Sequence, residues 1–237
     1  MGSLDALLVV QDHDTLADQL RHRRASLPER EALVAAEARR AKLDAALAEV
    51  GGRQHDLARR QQALEDEIAS VTGKIADVER RLYGGTVSAP RELQALQADQ
   101  EALTRHRSGL EDQALELMEQ REPVDADVAR LEAEGAVVED EAEQLRTAIA
   151  AAEAVIDAEL AEEEKQRALA ATGLPDDLLD RYEVLRTRLG GIGAARLAGG
   201  SCTGCHLTLS ATDLDRIKHA SPDALFFCEN CGRILVR

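Results

Sequence analysis

The chain has 237 residues, of which only 2% are aromatic and none is tryptophan, and its formal net charge is −16. So few rings argue against a conventional globular core, because aromatic side chains supply much of the buried area in such cores. The acidic balance excludes most of the surface as a binding site for nucleic acid or an anionic membrane. The sequence has no apolar run of about 18 residues that would span a membrane. Its N-terminus also lacks the basic segment of a signal peptide, so we expect a cytoplasmic protein without a membrane contact.

The first predicted element is a helix over residues 3–26, which Pro28 ends because proline disfavours the helical conformation of the residue before it. Its apolar residues are unevenly spaced and do not form a clean heptad pattern. We expect this helix to pack against the base of the helices that follow. An arm for oligomerisation is the alternative interpretation.

Two long helices follow, over residues 29–82 and 89–170, with apolar residues recurring every 3.5 positions in both. This period is typical of a coiled-coil seam. Two glycines and a proline interrupt the pattern at residues 83–90. A short turn between two such helices makes them antiparallel neighbours. The sequence therefore predicts a long antiparallel coiled-coil hairpin with its tip at 83–90.

A hairpin centred on this turn pairs seam positions whose numbers sum to about 175. This register predicts that Leu64 lies near Leu110 and that Gln54 lies near Arg121. It also places Arg40 beside Gly135, where the glycine would leave room for the long side chain. Polar residues in the seam fix the register of a coiled coil. Pro123 and the Gly51-Gly52 pair lie inside the helices, and we expect a kink at the proline and a weak spot or bend at the glycines, with each helix continuing past them.

Residues 157–165 are strongly acidic. We interpret this run as a solvated helix face. The alternative, functional interpretation is a docking site for a basic partner. After it, Gly173 and Pro175 indicate the end of one helix and the start of a short one over about 176–189. A glycine-rich connector follows, with a strand predicted between 192 and 197. We expect three parts: a helical hairpin over 1–172, a connector over 173–200 and a small module over 201–237.

The last module contains all four cysteines, in two Cys-x-x-Cys pairs separated by 22 residues. These are Cys202, Cys205, Cys228 and Cys231. Two such pairs supply the four thiolates that Zn²⁺ accepts in a tetrahedral site. A redox dithiol or a disulfide fits this arrangement less well, since each pair precedes a predicted short strand. Four cysteines close the coordination shell, so we expect one structural zinc and no catalytic metal.

Short strands are predicted at 206–209, 225–227 and 234–236, and Ser210 with Asp213 is typical of the start of a small helix. His206 adjoins a cysteine pair, but with four thiolates available we expect it not to be a ligand. The other five histidines lack matched partners, and we expect them to face solvent. They are His13, His22, His55, His106 and His219.

Two motifs resemble a bacterial family that combines a long helical hairpin with a four-cysteine zinc ribbon, formerly a domain of unknown function. One is the tip, Leu82 to Gly85 followed by Pro90 to Gln97, although Gly84 stands where a small polar residue is expected. The other is the ribbon, with Cys202-x-x-Cys205 and Phe227 to Leu235. The alanine- and arginine-rich composition resembles actinobacterial members. The resemblance implies an adaptor, since relatives in flagellated and chlamydial bacteria bind a sigma-54 type factor and, in one lineage, a flagellin transcript.

We therefore expect a mostly α-helical, non-enzymatic adaptor or scaffold that binds protein partners and takes no small-molecule substrate. The sequence shows no phosphate-binding loop and no grouping of catalytic side chains. Nucleic-acid binding through the ribbon is the alternative. The candidate contact residues at the tip are Tyr83, Arg91 and Glu92. Those in or near the ribbon are Arg186, Arg188, Arg196, Arg216, Lys218, Phe226 and Arg233.

Overall fold

The structure is a computed structural model that describes residues 3–85, 87–221 and 224–237. Its helices are α1 (Ser3–Ala25), α2 (Pro28–Tyr83), α3 (Pro90–Ala171), α4 (Asp176–Arg188) and α5 (Ala211–His219). Its strands are β1 (Ala194–Ala198), β2 (Ser201–Cys202), β3 (Phe226–Phe227) and β4 (Ile234–Val236). The predicted fold class is confirmed: two long helices form the hairpin, and short strands accompany the four cysteines.

Contacts between residues group the chain into two compact units, and the first comprises Leu33–Gln144. Here α2 and α3 pack along the predicted seam, as in the cluster of Val71, Ile75 and Leu110. Helix α3 is continuous through Pro123, as expected. Long helices of this composition owe their stability mainly to such an apolar stripe rather than to intrinsic propensity.

The polar seam residues make hydrogen bonds across the hairpin. Arg40 donates from Nη1 to the carbonyl oxygen of Gly135 at 2.8 Å, which confirms that predicted pairing. The carboxylate of Asp125 accepts from Gln54 Nε2 at 2.7 Å and lies 3.1 Å from Arg121 Nε. Gln54 and Arg121 are therefore neighbours through a shared carboxylate. The hydrogen bonds of Arg40 and Gln54 each tie a residue of α2 to one of α3, which fixes the register of the two helices, whereas the contact of Arg121 with Asp125 lies within α3.

The second compact unit comprises Met1–Ala32 and Leu145–Arg237. Its core brings α1, α4 and the sheet together, with Leu7, Val10, Tyr182, Ile234 and Val236 almost completely buried. The first helix thus packs on α4 and the sheet through its apolar face. The three-part division at 172 and 200 stays a prediction.

Helix α1 also presents its basic residues to the acidic run near the end of α3. Arg21 bonds to Glu164 at 2.8 Å and Arg24 bonds to Asp157 at 2.8 Å. These exposed ion pairs each contribute little free energy, because solvent screens them. They show that part of the acidic run faces a basic segment of the same chain.

The four strands form one sheet in the order β2-β1-β4-β3. Strand β1 is antiparallel to β2 and parallel to β4, and β3 is antiparallel to β4. Residues alternate between the two faces, so Ile234 and Val236 join the core with α1 while Leu235 packs toward α5. The connector strand predicted at 192–197 is β1, an integral part of this sheet.

The strand predicted at 206–209 is wrong. Only an isolated bridge between Ser201 and Thr208 forms there. His206 has a φ of 60°, which turns the chain out of the extended conformation immediately after the cysteine pair. The predicted start of α5 is confirmed, since the Ser210 hydroxyl accepts a hydrogen bond from the backbone N–H of Asp213 at 3.1 Å.

Candidate metal centre and partner surfaces

The sulfur atoms of the four cysteines lie within 4.8 Å of one another. Cys202 and Cys231 are 3.9 Å apart, and Cys205 and Cys228 are 3.8 Å apart. A tetrahedron with Zn–S bonds of about 2.3 Å has edges of about 3.8 Å, so the thiols have the spacing that zinc requires. A disulfide needs about 2.05 Å between sulfurs, which none of the four makes. The predicted ligand set is therefore assembled at one place.

Each cysteine pair forms a turn, here called a knuckle, and the two knuckles share one hydrogen-bond pattern. In the first, the N–H of His206 donates to the carbonyl of Cys202 at 2.8 Å. In the second, the N–H of Gly232 donates to the carbonyl of Cys228 at 2.7 Å. The N–H of each leading cysteine donates to the carbonyl five residues later. This symmetry points both pairs of thiols at a common centre.

The knuckles differ at the residue four positions after the leading cysteine. Gly232 has a φ of 75°, which glycine adopts at little cost, whereas His206 has a φ of 60° at the equivalent place. Gly204, in the first knuckle, has a packing role. A Cβ atom there would lie 2.5 Å from Cδ of Arg233, so the glycine makes room for the other knuckle's arginine.

The thiols ionise unequally. Burial raises the pKa of Cys202, and it raises the pKa of Cys228 to about 12. Burial also opposes ionisation of Cys231, but the N–H and side chain of Arg233 lower the pKa of that thiol to about 7. A bound cation is what makes four clustered thiolates stable together. Four protein ligands leave no open position, which is the arrangement of a structural zinc site.

Two of the predicted ribbon contacts are engaged inside the protein. Arg186 donates to Asp18 at 2.6 Å and its side chain is largely buried. Arg233 donates from Nε to the carbonyl of Ile192 at 3.0 Å. Arginines that hold acids and carbonyls of their own chain are not free for phosphates, although each keeps its charge.

Arg216 and Phe226 form a second engaged group. Arg216 donates to the buried carboxylate of Asp213 at 2.9 Å, and its guanidinium carbon lies 6.0 Å from the ring centre of Phe226. Phe226 is half-buried in the core below α5, whereas Phe227 is 42% exposed. The accessible ring of this pair is thus Phe227, the neighbour of the predicted residue.

The other three predicted contacts near the ribbon, Arg188, Arg196 and Lys218, have exposed side chains. They belong to α4, β1 and α5, respectively. The structure therefore divides the six predicted basic residues evenly into three with partners in their own chain and three exposed ones, although the Arg216 side chain is itself 61% exposed.

The hairpin tip is organised by two glycines. The N–H of Gly84 donates to the carbonyl of Arg80 at 2.9 Å, and a Cβ atom at Gly84 would lie 2.4 Å from that same oxygen. No side chain fits there, which explains the departure from the small polar residue expected at this position. Gly85 has a φ of 71°. Thr86, within the predicted tip, lies outside the described residues.

The predicted tip contacts all face solvent. Tyr83 is 76% exposed, and Arg91 and Glu92 are exposed as well. Glu92 lies 3.8 Å from Arg81 across the turn. The structure thus presents these three side chains at the tip of the hairpin.

Sequence reasoning missed a buried polar network. Asp14 accepts from Tyr182 Oη at 2.7 Å and from Arg167 Nε at 3.0 Å. One turn earlier, Gln11 Oε1 accepts from the N–H of Gly193 at 2.7 Å. Nothing distinguishes Gln11 and Asp14 from solvent-facing residues in the sequence of α1. Their partners lie more than 150 residues away.

One histidine expectation is wrong. His13 is half-buried, and its Nδ1 lies 2.6 Å from a carboxylate oxygen of Glu163. The docking of α1 against α3 creates this contact. The α1 pattern alone did not show which of its polar residues would face a neighbouring helix.

Comparison with known proteins agrees with this architecture. Residues 10–190 match the model of the CT398-like coiled coil hairpin domain, and residues 201–235 match that of the C4-type zinc ribbon domain. The chain therefore belongs to the family of CT398-like coiled-coil hairpin proteins that carry a C4-type zinc ribbon. The predicted zinc ribbon and its single structural zinc are confirmed.

Mycobacterial proteins are among the relatives. Rv2229c of Mycobacterium tuberculosis strain H37Rv, described as an uncharacterized protein, is 30% identical over 239 residues, which cover 98% of this chain and 94% of that protein. A solved structure from Mycobacterium smegmatis has 26% identity, a TM-score of 0.84 and complete coverage of both chains. These relatives agree with the resemblance to actinobacterial members.

A more distant structure shows the same fold. CT398 of Chlamydia trachomatis has 21% identity and a TM-score of 0.64, with 99% of this chain and 97% of that chain covered. The two family models describe a coiled coil and a zinc ribbon, which supports a structural or interaction role. In the part of the chain that the structure describes, no helix combines the length and apolarity needed to cross a membrane.

Proposed function

We propose that the protein is a non-enzymatic cytoplasmic adaptor that binds protein partners through the hairpin tip, with the zinc ribbon as its structural head. One observation carries the proposal: Tyr83 is 76% exposed beside a turn fixed by Gly84 and Gly85. Tyrosine is enriched among the residues that dominate binding energy at protein interfaces. A ring held on a defined backbone also loses little conformational freedom on binding.

The second tyrosine gives a direct contrast. Tyr182 is fully buried and its hydroxyl is hydrogen-bonded, as expected for a structural ring. Tyr83 has no comparable burial, so the fold does not account for it. Arg91 and Glu92 add charged groups beside the ring, and such a polar rim around an aromatic anchor is typical of interfaces.

The family resemblance supports transcription-related regulation as the setting, since related adaptors bind a sigma-54 type factor.

Nucleic-acid binding through the ribbon is less well supported. Residues 199–237 contain four basic and four acidic residues, and a zinc bound by four thiolates adds a charge of −2. Phosphate binding requires a net positive surface. Arg216 and Arg233 are engaged with their own chain. A gel shift at two salt concentrations tests this alternative, and salt-dependent retardation of RNA or DNA would support it.

The adaptor proposal is tested by affinity capture from native lysate with three baits: wild type, Tyr83→Ala and Tyr83→Phe. We expect Tyr83→Phe to retain the captured proteins and Tyr83→Ala to lose at least one by tenfold or more, since only alanine removes the ring. Unchanged helicity and zinc content of the variants serve as controls. If wild type captures no protein specifically, the adaptor function fails. If Tyr83→Ala captures everything that wild type does, the tip is not the contact.

A further inference from the structure

Strand β3 lies at one edge of the ribbon sheet. The strand order is β2-β1-β4-β3, so β3 has a neighbour on one side only. At the opposite edge, the bridge between Ser201 and Thr208 adds a further pairing beyond β2. Among residues 3–85, 87–221 and 224–237, none pairs with the outer side of β3.

The register identifies the backbone groups on that outer side. Phe226 is opposite Leu235 and Phe227 is opposite Ile234. The N–H of Cys228 donates to the carbonyl of Arg233 at 2.8 Å, so that facing pair is hydrogen-bonded. Hydrogen-bonded and non-bonded pairs alternate along an antiparallel ladder. The N–H and C=O of Phe227 therefore point away from β4.

The side chain at this position is also accessible. Phe227 is 42% exposed, whereas Phe226 packs into the core. Natural sheets protect an open edge by keeping its strand short or by adding charged residues or proline. Strand β3 is short, with two residues. Within the described residues it combines unpaired outward backbone groups with an exposed aromatic ring, and extended peptides recognise that combination.

We propose that the outer edge of β3 binds an extended segment of a protein partner, which adds a fifth strand to the sheet. The backbone of the segment accepts a hydrogen bond from the N–H of Phe227 and donates one to its carbonyl. An apolar side chain of the segment packs against the Phe227 ring. The segment is neutral or basic, because the basic and acidic side chains of residues 199–237 balance and the zinc bound by four thiolates adds a charge of −2, which disfavours an acidic peptide. With so short a strand, we expect a transient interaction. This inference rests on the proposed adaptor function and adds a second contact to it.

The matched variants are Phe227→Val and Phe227→Pro. Both are apolar, but only proline lacks the N–H that faces outward. Proline is tolerated at an edge position whose N–H faces solvent, so we expect the pairing of β3 with β4 to survive. One zinc per chain and unchanged helicity check that each variant is folded.

The probe is a display library of random 12-residue peptides, selected on the full zinc-loaded protein. We expect enriched peptides with alternating apolar residues and few acids. A synthetic copy should bind Phe227→Val more weakly than wild type, because the ring is lost, and should bind Phe227→Pro at least tenfold more weakly than Phe227→Val, because the outward N–H is lost as well. Equal binding to both variants, or no enrichment of alternating peptides, would overturn the inference.

A measurement on the wild type covers the case in which Phe227→Pro does not fold. Saturating peptide should slow hydrogen exchange of the Phe227 amide and leave the Phe226 amide, already bonded to β4, unchanged.

Failure of the adaptor function can be distinguished from failure of the edge inference. If Phe227→Pro captures the same lysate proteins as wild type but Tyr83→Ala does not, the adaptor stands and the edge inference is wrong. If the edge binds peptides but wild type captures no protein, the adaptor proposal falls alone.

Discussion

Tyr182 donates its hydroxyl hydrogen to Asp14 Oδ2 at 2.7 Å and thereby joins α4 to α1 across 168 residues of sequence. Both residues are buried. Asp14 also accepts a hydrogen bond from Arg167 Nε at 3.0 Å, and Arg186 Nε lies 3.6 Å from Asp14 Oδ2. A buried carboxylate needs several such partners, because the cost of removing its charge from water is large.

The first prediction concerns this hydrogen bond. Tyr182→Phe removes the hydroxyl and leaves the ring in place, so we expect the free energy of unfolding to fall by about 1.5–3 kcal/mol, the range for hydrogen bonds to charged groups. Urea denaturation followed by circular dichroism measures it. Tyr83→Phe is the matched control and should change stability by less than about 0.5 kcal/mol. Equal effects of the two substitutions would show that the buried bond contributes nothing.

The second prediction is a pH dependence. Burial, followed by the hydrogen bond to Asp14, raises the pKa of Tyr182 well above its ordinary value. Above about pH 10 the unfolded chain loses this proton while the folded chain keeps it, so stability falls as pH rises, by about 1.4 kcal/mol per unit. Tyr182→Phe lacks this contribution. The stability difference between wild type and the variant should therefore be smaller at pH 11 than at pH 8, and a constant difference would contradict the assignment.

The third prediction concerns Gly135 in the hairpin. A Cβ atom there would lie 3.5 Å from Cζ of Arg40, an ordinary contact distance. We expect Gly135→Ala to stabilise the protein by up to about 1 kcal/mol, because alanine favours the helix. Gly73→Ala is the control, since its Cβ would meet nothing within 4 Å. Gly135→Leu should destabilise, because the larger side chain displaces the Arg40 guanidinium. Thermal melts compare the three, and stabilisation by leucine would exclude the contact.

The fourth prediction compares equivalent positions of the two knuckles. His206 and Gly232 both have positive φ, which costs about 1–2 kcal/mol for a residue with a Cβ atom. Glycine also loses more freedom on folding, so His206→Gly should stabilise the ribbon by about 0.5–1 kcal/mol. Gly232→Ala should destabilise it. Competition for zinc with a chelator measures both, and effects of the same sign would contradict the structural equivalence.

The fifth prediction concerns zinc removal. Chelation or Cys228→Ser should unfold residues 200–237, because the buried thiols lose the cation that holds them. Ile234 and Val236 share a core with Leu7 and Tyr182, so we expect faster hydrogen exchange in α1 and α4 as well. Residues 64–110 should remain protected from hydrogen exchange. Loss of protection throughout α2 and α3 would contradict the separate core of the hairpin.

The sequence was informative wherever a pattern repeats or a ligand set is complete. The seam period predicted the helices and the contact between Arg40 and Gly135, and the cysteine spacing predicted the zinc ligands. Local turn signals also located α4 and α5.

The remaining features depend on contacts between distant segments. Asp14 lies in α1 with no local sign of burial, and only the docking of α4 supplies Tyr182. The sequence did not predict the conformation of His206 either, because its positive φ follows from the closure of the knuckle and not from its residue type. Such features emerge only when the chain is folded.

The central claim, that the tip is the partner contact, is tested most directly by site-specific photocrosslinking in the native cell. A benzoylphenylalanine replaces Tyr83 in one strain and Leu115 in another, because Leu115 is also exposed, at 59%, on the same hairpin. We predict a discrete crosslinked protein from position 83 and none from position 115. The same crosslinks from both positions, or a crosslink from 115 alone, would contradict the account.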